Sequence, residues 1–99
     1  MEEAIKAAIE SIITKKIPKG AMFDTHAVIE CLIQEHSDTY LEFYRINGGG
    51  GTSIHHQNIA FILSKFKDGL IERVGDANSQ IWSMNIHGNY NKDACWKKK

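Results

Sequence analysis

The chain has little of what most directly announces a function: no net charge, no long apolar run and only two cysteines in 99 residues. Lysine plus arginine balance aspartate plus glutamate at 12 each. Neutrality argues against a dedicated basic binder of nucleic acid, because a cationic surplus that displaces counterions from phosphates supplies most non-specific affinity. No stretch approaches the roughly 18 apolar residues of a membrane span, and Met1-Glu2-Glu3 lacks the basic region and apolar core of a signal peptide. A soluble, cytoplasmic protein with no membrane partner is expected. Cys31 and Cys95 lie far apart, one in a predicted helix and one in a polar stretch, so neither a disulfide framework nor a zinc motif is expected.

What is present is ordinary globular material, with 42% apolar and 24% charged residues. A chain this long makes one domain with one modest core. Ile5, Ile9, Ile12, Ile13 and Ile17, with Ala4 and Ala8, recur at helical spacing between Glu2-Glu3 and Lys15-Lys16, charges that suit the dipole of a first helix. Pro18 and Gly20 end it. A short extended piece, Ala21-Met22-Phe23, precedes Asp24, which is placed to cap a second helix carrying Val28, Ile29, Leu32 and Ile33. Ser37 is placed to cap a further helical segment containing Tyr40, Leu41, Phe43 and Tyr44, which Asn47 closes.

The four glycines at 48–51 predict a flexible loop, since glycine runs hold neither helix nor strand. A phosphate-cradling loop requires Lys-Ser/Thr after the glycines, and Thr52-Ser53-Ile54 stands there instead. Thr52 or Ser53 is expected to cap the last helix, which runs to Asp68, and Gly69 to supply the turn out of it. Residues 70–74 and 80–86 read as two strands joined by the polar turn Gly75-Asp76-Ala77-Asn78-Ser79. Residues 89–99 read as a flexible Lys-ending tail, with Trp96 an unusual passenger.

The stretch LSKFKDGLIERVGDANSQIWSMNI, residues 63–86, carries a resemblance. Helix, short strand, helix, helix and a two-stranded wing is similar to the winged helix-turn-helix superfamily, over about residues 3–88. The local match, LSKFKDGLIER, looks like the end of a recognition helix and the first wing strand of bacterial regulators. The fold class expected is therefore α+β: a single winged-helix domain at 1–88, three to four helices followed by a two-stranded β-hairpin wing.

The resemblance implies that the helix starting near Ser53 enters a major groove. Projecting its residues at 100° each puts Ile59, Ile62, Leu63, Phe66 and His55 inward and Ile54, Gln57, Asn58, Phe61, Ser64 and Lys65 outward. Gln57 and Asn58 suit adenine edges, Lys65 suits a phosphate or guanine, and Arg73 stands beside the wing. A small DNA-binding transcription regulator follows, with duplex DNA as partner. The alternative is a protein-interaction module or a small inhibitor of phage or mobile-element type. That reading uses the outward Ile54 and Phe61, joined by Tyr40 and Tyr44, and it admits a homodimer.

Enzymatic chemistry has the least support. The five histidines, His26, His36, His55, His56 and His87, include no i, i+4 pair and no HExxH, and nothing around them forms a nucleophile motif. No metal site and no cofactor are expected.

Overall fold

The stripe of isoleucines in α1 (Glu2–Lys16) is the centre of the molecule, with Ile5, Ile9, Ile12 and Ile13 all but inaccessible. The computed structural model describes residues 2–47, 51–75 and 80–99. After α1 come β1 (Met22–Asp24), α2 (Thr25–Glu35), α3 (Ser37–Ile46) and α4 (Thr52–Ser64). Four strands follow: β2 (Ile71–Arg73), β3 (Ile81–Met84), β4 (Tyr90–Asp93) and β5 (Cys95–Lys98).

Each helix turns its apolar stripe onto α1: Val28, Ile29 and Leu32 from α2, Tyr40 and Phe43 from α3, Ile59, Ile62 and Leu63 from α4. Burial of each such side chain contributes about 1.5–3 kcal/mol. Asp24 caps α2 as expected, accepting from the Ala27 backbone N–H. His36 occupies the cap of α3, so Ser37 is its first residue rather than its cap. Gly51 does the same for α4, where Thr52 is already helical.

The fold is α+β, but its strands pair differently from the expected hairpin. β2 pairs with β5 and not with β3, in a three-stranded antiparallel sheet of order β1-β5-β2. β3 instead pairs with β4 in a separate two-stranded sheet. The flexible tail expected at 89–99 is therefore corrected, because these residues form β4 and β5. The physical reason is Trp96, which stands opposite both Phe23 and Arg73 and is 3% exposed. Lys98 adds a second anchor, donating from Nζ to the carbonyls of Thr14 and Ile17 and so neutralising the negative end of α1.

The exit from α4 is also corrected. The helix ends at Ser64, and the left-handed residue in the following turns is Asp68, with φ 67°, rather than Gly69. Aspartate tolerates this conformation better than most residues, and its N–H bonds the Ile71 carbonyl. Gly69 is exposed with room for a side chain. Most of the glycine run, 48–50, and the turn residues 76–79 lie outside the described residues. Among the described residues, no helix is long and apolar enough to cross a membrane.

Candidate functional site

Two depressions lie side by side where α4 faces β4. The first, a polar cleft of about 260 Å³, is lined by His26 of α2, Thr52, His56 and Gln57 of α4, and Asn85, His87 and Asp93 from the hairpin side. The second, a groove of about 620 Å³, is lined by Gln57, Phe61, Lys67, Arg73, Lys92 and Trp96, among others. Gln57, Ala60, Thr25, Lys92 and Asp93 border both, so the two form one continuous surface.

The groove owes its charge to strand alternation. Ile71 and Arg73 share the inner face of β2, while Glu72 points outward opposite Lys97. Glu72 is thereby turned away from the side where Lys67, Arg73 and Lys92 gather. Among the described residues, Asp93, which is 8% exposed, is the one carboxylate that lines this groove. Arg73 lies 5.3 Å over the Trp96 ring and Lys92 5.3 Å over Trp82, so both cations are held against aromatic faces.

In the polar cleft, the Asp93 carboxylate accepts from the His26 backbone N–H at 2.9 Å, a second cap on α2. The His26 ring Nδ1 lies 3.4 Å from Asp93 Oδ2 and 3.8 Å from Asp24 Oδ2. Burial pushes the Asp93 carboxyl up to about 6, the His26 N–H opposes that, and the neighbouring Asp24 adds to it. His56 stacks on His87 with ring centres 6.1 Å apart, and its Nε2 shares a 2.7 Å hydrogen bond with the Tyr40 hydroxyl. Burial first, then the nearby His55, His87 and His26, lowers His56 to about 4. His87 in turn meets Thr52 Oγ1 at 3.0 Å.

Of the residues read as DNA contacts, Gln57 and Arg73 come together on the groove. Asn58 is half-buried on another side, beside Phe43, Ile46 and Ile62. Lys65 is exposed but ion-paired with Glu2, and it lies over the Phe61 ring. Of the residues read as a protein interface, Ile54 and Phe61 are exposed, as expected. Tyr40 is buried and Tyr44 half-buried, which removes them from the candidate surface. Both pack edge-on against His55, a fully buried ring that desolvation keeps neutral.

Sequence reasoning missed Lys67, Lys92, Asp93 and His26 as members of one surface. Their separation along the chain hides them, since Asp93 reaches His26 across 67 positions. A scan against protein-family models, a search of curated proteins and a search of solved structures all return no match.

Proposed function

We propose that the chain is a small winged-helix DNA-binding protein, without enzymatic activity, whose wing is the pair β2 and β5. On this reading the β3–β4 hairpin is carried as an extension between the two wing strands, and a DNA backbone lies along the groove between α4 and β4. The fold reading is supported by the strand order β1-β5-β2, which joins the strand between the helices to two strands after the last helix. The functional reading is carried by one observation: Lys67, Arg73 and Lys92 converge on a single groove in a chain with no net charge. Segregation of charge does here what a surplus does elsewhere. Gln57, exposed at the border, is the residue available for an adenine edge.

Three phosphate contacts imply a slope of log affinity against log salt of about −2.7. Fluorescence anisotropy with short random duplexes over a salt series measures it. Lys92→Ala is expected to weaken binding evenly across sequences and to reduce the slope by about 1. Absence of binding at low salt, or a slope indifferent to replacement of all three cations, sinks the proposal.

A second reading, a protein-interaction module, is favoured by the exposed apolar side chains of the hairpin, led by Trp82 and Tyr90 at 66% and 65% exposure. The occupant it requires is a second copy of this chain, because a self-complementary two-fold contact is the commonest way to cover such a face. Light scattering on eluted protein separates the readings: a monomer at all concentrations, with and without DNA, removes the second.

A further inference from the structure

We propose that Asp24, His26 and Asp93 form a binding site for a divalent first-row transition-metal ion, with zinc as the probe that tests it. The proposal does not rest on DNA binding, and the site uses none of the three groove cations, although Asp93 borders the groove as well as the cleft.

The donor atoms are already gathered. One carboxylate oxygen from each aspartate and one ring nitrogen of His26 all lie within 4.8 Å of one another. The separation of His26 Nδ1 from Asp93 Oδ2, 3.4 Å, equals the edge of a tetrahedron whose metal–ligand bonds are about 2.1 Å, and Asp24 Oδ2 at 3.8 Å lies somewhat beyond that edge. Two carboxylates and one imidazole nitrogen suit zinc and its borderline neighbours better than magnesium, which demands a near-ideal octahedron of oxygens.

A second observation points to a ligand rather than to a capping network alone. Asp93 is more than nine-tenths buried and lines the polar cleft, yet its Oδ1 has no hydrogen-bond partner among the described residues. His26 Nδ1, also buried, has none either. Helix capping uses Asp24 Oδ1 and Asp93 Oδ2 and accounts for neither atom. A cation bound by His26 Nδ1 and by both oxygens of Asp93 satisfies the two orphaned atoms and removes the repulsion between two adjoining carboxylates.

The three ligands come from the end of β1, the first turn of α2 and the end of β4. A bound ion therefore ties the β3–β4 hairpin to the helical body. With three protein ligands, a further coordination position is left for water or a small ligand, and His26 and Asp93 both border the cleft from which it would enter.

Untagged, chelator-treated full chain is titrated with zinc by calorimetry at neutral pH, with melting temperature followed in parallel. The expected result is one zinc per chain and a raised melting temperature. His26→Ala leaves the backbone N–H to Asp93 in place and is expected to abolish both effects. Asp24→Asn, which retains an oxygen to cap Ala27, guards against loss through misfolding and is expected to do the same. A Cys31→Ser, Cys95→Ser double variant is expected to bind as the natural chain does. No zinc uptake, uptake unchanged by His26→Ala and Asp24→Asn, or uptake lost with the cysteines overturns the proposal.

Discussion

The two tryptophans occupy neighbouring sheets and meet opposite fates. Trp96, in the middle strand of the three-stranded sheet, is 3% exposed, whereas Trp82, in the two-stranded hairpin, is 66% exposed. The difference lies in what covers each strand. β5 has a strand on either side and presents Trp96 to the core formed by the helices. β3 has one partner, β4, and leaves Ile81, Trp82, Met84 and Tyr90 accessible. Apolar content therefore marks two different things in one short chain: cohesion in β5, and in β3 a surface available for contact. An isolated two-stranded hairpin is marginal in water, so this one depends on its ties to the body, among them Asp93 to His26 and His87 to Thr52.

The largest effect that tests this contrast is on stability. Trp96→Ala is expected to cost about 3–5 kcal/mol, since it empties a buried site shared by two strand pairings. Urea unfolding measures it, and a cost near zero makes residues 89–99 the loose tail that their composition predicts.

Between the two regions stands His56, on α4 and stacked against the hairpin's His87. Its folded value, about 4, lies below the ordinary 6.5, so it contributes stability that is fully present above about 6.5 and is lost as pH falls towards 4. Melting temperature should fall across that window, and His56→Gln should flatten the fall. An unchanged pH profile in the variant places the acid sensitivity elsewhere.

The smallest expected effect on folding belongs to the hairpin surface. Trp82→Ser and Tyr90→Ser should each change stability by no more than about 0.5 kcal/mol. If the hairpin face takes part in recognition, the same variants weaken partner binding. A large loss of stability instead makes Trp82 a packing residue, and the contrast with Trp96 disappears.

Much of the helical half is legible in the sequence. The isoleucine spacing gives α1, Asp24 caps α2, and the projection of α4 correctly turns His55 inward and Ile54 and Phe61 outward. The sheet is less legible because its decisive pairing is non-local. In the stretch NYNKDACWKKK only Asp93 and Trp96 are buried, too few to reveal an alternating strand pattern. Trp96 is the single signal that could have been followed. The candidate site suffers for the same reason: Gln57 and Arg73 are found by helical projection and family likeness, Lys67 lies in the turns between α4 and β2, and Lys92 joins them only through β4.

The sequence by itself determines the helices and their buried faces, because a 3.6-residue period and a cap are local properties that do not depend on the rest of the chain. Tertiary structure alone decides which strands pair, which tryptophan is covered, and that Lys67, Arg73 and Lys92 share one groove while Asp24, His26 and Asp93 share one corner. Those neighbours are set by backbone hydrogen bonds between distant strands and by the side chains that each pairing turns inward, and neither is written in the spacing of residues along the chain.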